Sequence, residues 1–105
     1  MKTNELTGAA LDWAVAKCEG GIWDKHIAYG FSFRPSSAWS QGGPIIEREG
    51  ISVDRMELAW NADISDSVGG YIEHTESGPT PLIAAMRCYV ASKLGADVDV
   101  PKELV

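Results

Sequence analysis

The stretch "GPTPLIAAMRCYVASKLG" (78–95) constrains the fold more than any other part of the sequence. Thr80 is placed to cap a helix that opens on Pro81, where the missing N–H has no intrahelical partner to lose. Lys93 falls in the last turn, against the negative end of the helix dipole, and Gly95 follows the end. Between those limits Leu82, Ile83, Met86, Tyr89, Val90 and Leu94 form a wide bulky stripe. Ala84, Ala85, Cys88, Ala91 and Ser92 form a second face, whose small side chains let another element pack closely. A helix with two such faces needs cover on both, as it has when it lies between a sheet and another helix.

The rest of the chain supplies candidates for that cover. Thr7 is placed to cap a first helix, with Leu6 and Leu11 set as a hydrophobic staple across its start. Leu11, Ala14, Val15 and Cys18 share one face of it, Trp13 lies off that stripe, and Gly20-Gly21 ends it. In "HIAYGFSF" (26–33), Ile27, Tyr29, Phe31 and Phe33 alternate as in a strand, with Gly30 marking a bulge. Met56, Leu58, Trp60 and Ala62 alternate with Glu57, Ala59 and Asn61, which predicts a half-buried strand with Trp60 in the core. "ISDS" (64–67) reads as a turn and Tyr71–His74 as the return strand, giving a β-hairpin over 55–75. The segment after Gly95 is expected to be extended along the surface. Helix, strand, short helix, hairpin, helix predicts one α+β domain over 1–105, with a small antiparallel sheet packed between helices in an α/β/α sandwich-like arrangement.

Between the first strand and the hairpin lies "SAWSQGGPIIEREG" (37–50), glycines followed by a helical run, a pattern that invites a phosphate-binding reading. Neither G-x-x-x-x-G-K-[ST] nor G-x-G-x-x-G occurs in the sequence. Glu47 and Glu49 lie in the run, and Arg34 and Arg48 are the only cations nearby. The reading that fits is a loop–helix junction. Gly42-Gly43 let the chain turn, Pro44 starts a short helix through Glu49, and Gly50 stops it.

Charge narrows the partners. Nine Lys and Arg against fifteen Asp and Glu leave a net charge of −6, which argues against duplex DNA, since its binders neutralise phosphates with basic side chains. An acidic surface suits solubility or a partner with a basic face. No apolar run approaches the length of a membrane span and the N-terminal residues do not resemble a signal peptide, so a cytoplasmic protein is expected, with Cys18 and Cys88 as free, apolar-packed thiols.

Chemistry-bearing sets are sparse. His26, His74, Cys18 and Cys88 show no zinc-site spacing, so no metal and no cofactor is expected. Neither cysteine sits where a histidine and an orienting group would activate it. The pairs Asp63/Asp66 and Glu73/Glu76 lie in turn-rich, polar surroundings, where a raised pKa is hard to maintain. What remains are two tryptophans in predicted loops, Trp23 and Trp39, as candidate contact residues together with Gln41, Gly42 and Gly43.

Three segments carry a resemblance: "ELTGAALDWAVAKCEG" (5–20), "SSAWSQGGPIIEREGI" (36–51) and "GPTPLIAAMRCYVASKLG" (78–95), ending in "VDVPKELV". Together they resemble the NinX-like family of small tailed-phage and prophage proteins; residues 22–35 and 52–77 carry no part of the likeness. More distantly, "LDWAVA" (11–16) and "LAWNA" (58–62) are similar to the phage ABA-sandwich domain, in which helices enclose an antiparallel sheet. The resemblance implies a phage-encoded sandwich expressed in the bacterial cytoplasm, and brings no activity, cofactor or catalytic residue. The expected function is therefore a non-enzymatic accessory protein that binds a host or phage protein. The alternative is a small-ligand, nucleotide-like binder using Trp23, Trp39 and the Gly42-Gly43 turn. An enzyme ranks behind both. Exposed hairpin edges and loop aromatics also give the chain the means to self-associate.

Overall fold

The computed structural model describes residues 1–20, 33–65 and 72–104. The last helix, expected from its ends, is α3 in chain order and spans Pro81–Leu94. Thr80 caps it as the sequence requires, its hydroxyl oxygen accepting from the Ile83 N–H at 3.1 Å. Leu82, Met86, Tyr89 and Val90 are buried on one side and Ala84, Ala85, Cys88 and Ala91 on the other, while Leu94 is exposed. Both faces are covered, and α3 is the middle layer among the described residues. On one side it packs on the sheet; on the other it meets α1 (Gly8–Cys18) and α2 (Trp39–Glu49).

The sheet has three antiparallel strands in the order β1 (Ser52–Arg55), β2 (Trp60–Ser65), β3 (Ile72–Gly78). Its register pairs Val53 with Ala62 and Ala62 with Glu76. Val53, Trp60, Ala62 and Ile64 therefore share the face that packs on the core. Gly78 lets β3 and α3 touch, since a Cβ there would fall 2.8 Å from the Ala84 nitrogen. The opposite face carries Asp54, Asn61, Asp63, Thr75 and Ser77, and Asp63 accepts from the Thr75 hydroxyl at 2.8 Å and from the Asn61 amide at 3.2 Å. This face is polar, as suits an antiparallel sheet that, among the described residues, is covered on one side. The expected α+β class is what the structure shows; within it, among the described residues, the layer between the other two is a helix.

The hairpin starts later than the alternation predicts. Met56–Ala59 is a turn, closed by the Met56 N–H donating to the Ala59 carbonyl at 2.8 Å, and β2 begins only at Trp60. The alternation of apolar residues runs on through this turn, so Met56 and Leu58 share the pattern without sharing the strand. Trp60 is half-buried at the edge of the core rather than inside it. The turn joins β2 to β1, a strand of four residues too short to register as a pattern. The return strand runs to Gly78, beyond the expected His74. Of the strand expected over His26–Phe33, only Phe33 is described, and it is buried.

The first helix occupies the expected span. Leu6 and Leu11 are fully buried at its start, and Ala10, Ala14, Val15 and Ala16 face the core. Thr7 sits extended at the cap position, but its hydroxyl makes no capping bond. The segment after α3 does more than lie along the surface, because it closes on residues 1–3. Thr3 N–H donates to the Ala96 carbonyl at 2.8 Å, Val98 N–H donates to the Met1 carbonyl at 2.8 Å, and the Thr3 hydroxyl donates to the Gly95 carbonyl at 2.6 Å. Thr3, Leu6 and Val98 are buried by this clasp.

Candidate functional site

The junction that the sequence places at Pro44 lies five residues earlier. Helix α2 starts at Trp39, and Pro44 is inside it. A turn over 34–38 prepares the start, with the Ala38 N–H donating to the Arg34 carbonyl at 2.8 Å. The Ala38 carbonyl then accepts from the N–H groups of Gln41 and Gly42, at 3.0 and 2.9 Å. The side-chain carbonyl of Gln41 reaches back to the Arg34 N–H. From α1, the Asp12 carboxylate takes the Ser36 N–H at 2.9 Å. Burial raises the Asp12 pKa, with the Ser36 hydrogen bonds and the Arg34 charge opposing it. Pro44 has no N–H for the Ser40 carbonyl, and Ser40 is exposed, so water can take that place.

This placement separates the candidate residues. Trp39 is 57% exposed at the first residue of α2. Gly43 lies one turn on, and a Cβ there would come within 3.9 Å of the indole, so the ring lies across Gly43. Gly42 points the other way. It is buried, and a Cβ on it would run into the Pro35 carbonyl and the Leu82 side chain. Gly42 is thus a packing position, where α2 approaches the turn at Pro35 and the start of α3. Gln41 holds the Arg34 turn. Trp23 lies outside the described residues. Of the described residues in that group, Trp39 is the one offered to solvent as a large apolar surface.

A second surface was not anticipated. The turn after β1 presents Met56, 56% exposed, and Leu58, 95% exposed, beside half-buried Trp60. With Arg55, Glu57 and Pro79 they line an open groove of about 300 Å³. The sequence held the signal, since the same alternation is present, but its period assigned Met56 and Leu58 to a buried face.

A third cluster joins the helices. Glu19, just past the end of α1, receives both terminal nitrogens of Arg48 from α2, at 2.7 and 3.1 Å. The Tyr89 hydroxyl of α3 donates to the same carboxylate at 2.6 Å and accepts from Arg48 at 3.1 Å. Arg48 also donates to Glu49, and Lys93 stands 3.6 Å from the other Glu49 oxygen. Burial pushes the Glu19 pKa up, but the bonds from Arg48 and Tyr89 outweigh it and leave it lowered. Burial, reinforced by Glu19, raises that of Tyr89. These residues are about thirty and forty positions apart, so no local pattern marks them. The Glu19 carboxylate, the Arg48 guanidinium and the Tyr89 hydroxyl are all engaged with one another, and the arrangement ties the three helices together.

The thiols are poorly suited to nucleophilic chemistry. Burial, with Glu19 adding to it, pushes Cys18 up to about 12; burial, with Glu76 and Asp63 adding to it, pushes Cys88 up to about 12. Both stay protonated at neutral pH. Among the described residues no group of three His, Cys, Asp or Glu is close enough to hold a metal, and no helix is long and apolar enough to cross a membrane.

The sequence model of the family described as Bacteriophage P22, NinX matches residues 21–93. The chain belongs to this family. The NinX match takes in α2, the whole sheet and α3 up to Lys93, hence Trp39, the apolar turn at 56–60, Arg48 and Tyr89. It also runs through 22–35 and 52–77, where the sequence alone offered no likeness to this family, while α1 with Glu19 precedes it. No curated protein matches the sequence.

Proposed function

We propose that this phage protein works by binding rather than by catalysis, in the host cytoplasm, and that it engages a host or phage protein through the face of α2 that carries Trp39. The exposure of Trp39 is the observation that supports this reading. An indole left in water on a helix, backed by a glycine, exposes apolar area that burial in a partner's pocket would remove from water. Tryptophan is enriched among the residues that dominate interface energetics. The net charge of −6 favours a partner whose contacting face is basic. The nucleotide-binding alternative loses support from Gly42, which packs against Pro35 and Leu82 instead of lining a turn.

The test starts from stoichiometric capture out of host lysate, followed by binding of the identified, purified partner. Trp39→Ala is expected to weaken that binding at least about tenfold, the loss typical of a central aromatic anchor. Recovery of the protein alone, or a partner held equally well by the variant, would overturn the reading. A thermal shift with a nucleotide at millimolar concentration would favour the alternative.

A further inference from the structure

Neither Trp39 nor the helix-joining cluster accounts for the turn after β1. Leu58 stands almost wholly in solvent, Met56 is more than half exposed, and the groove between them and Pro79 is open. Single exposed apolar side chains are ordinary; a protruding leucine with a half-exposed methionine beside it, at an open groove of mixed lining built from the same turn, is a contiguous patch. Two charges frame it, Arg55 and Glu57, both exposed and on either side of Met56.

We infer that this turn is a self-association surface whose occupant is a second copy of the same chain. In a two-fold contact the same patch appears on both sides, so residue i meets j while j meets i. An axis passing near Met56 sets Arg55 of each copy against Glu57 of the other, giving two opposite-charge pairs from one turn. The same operation sets each Leu58 toward the other copy's groove, so that knob and groove are used reciprocally. A partner with a basic face would find Arg55 opposed to it, and one with an acidic face would find Glu57. A second copy satisfies both. The net charge of −6 on each chain opposes the approach at long range, and salt at physiological strength screens it over about 8 Å. One turn and its groove make a small interface, which places the dimer among weak, concentration-dependent contacts.

Sedimentation equilibrium from about 10 μM to about 1 mM in about 150 mM salt tests this on the full chain, a range set to catch weak association. The apparent mass is expected to climb from 11.3 kDa toward twice that value. Leu58→Glu, at a position too exposed to matter for folding, should hold the protein monomeric throughout. Arg55→Glu alone and Glu57→Arg alone should each weaken association roughly five- to tenfold, because each turns two attractive pairs into two repulsive ones. The double variant restores the pairs in swapped form and should recover wild-type association. A constant mass of 11.3 kDa for the wild type, or a double variant as weak as the single ones, overturns the inference. Leu58→Glu leaves Trp39 untouched, so the outcome is independent of the binding reading above.

Discussion

At the scale of single residues, Glu19 carries the clearest electrostatic consequence. Its folded-state pKa lies below the ordinary glutamate value of about 4.3 because Arg48 and Tyr89 hold its charged form against the cost of burial. The unfolded chain then binds this proton more readily than the folded one. The stabilisation is present above about pH 4.3 and is lost as pH falls through the folded value. Glu19→Gln should cost about 1–2 kcal/mol at neutral pH. The difference from wild type should shrink between about pH 5 and 3, read from urea midpoints. A constant difference over that range would show that the carboxylate charge does not matter. None of this was legible beforehand, for Glu19 and Tyr89 meet only after α1 and α3 have packed. Gly42 shows the same limit. Its sequence context suggests a turn, and only the nearness of Pro35 and Leu82 reveals why no side chain fits.

Elements differ in how much of their definition is local. Helix α3 was legible to the residue because its cap, first-position proline and closing glycine are contained in the segment. Helix α2 was not, because its start is set by Arg34, Gln41 and the approach of Pro35, and a proline that marks a start elsewhere is here interior. Pro44→Ala follows from that difference. If the helix began at Pro44, alanine would change little. With α2 beginning at Trp39, alanine returns the donor missing for the Ser40 carbonyl and should stabilise the protein by about 1 kcal/mol, less than the full interior cost of proline because Ser40 is exposed. Thermal melting separates the two outcomes. The β1–β2 turn misleads in the opposite sense. An alternating period cannot show where a strand stops when the apolar residues continue into a loop that exposes them.

For the whole molecule the sequence supplied the governing constraint, a helix requiring cover on two faces, and with it the α+β class. It did not show that residues 1–6 and 95–98 would close on each other, since those segments carry few apolar residues and no strand pattern. Deleting residues 96–105 should therefore do more than trim a tail. It removes buried Val98 and the carbonyl partner of the Thr3 N–H. The Thr3 amide, hydrogen-bonded to Ala96 in the full chain, should be protected from exchange there and exchange freely in the deletion variant, and stability should fall by about 2–3 kcal/mol. Unchanged protection at Thr3 would mean that the clasp contributes nothing.

That clasp also sets an order of events during synthesis. Thr3 finds its hydrogen-bond acceptors only at Gly95 and Ala96, and Leu6 lends its carbonyl to Arg87. A nascent chain carries residues 3 and 6 without these partners until residues 87–96 have been added. The hairpin, whose contacts are near in sequence, can form while translation continues; the closing of the molecule has to wait until residues 95–98 have been made.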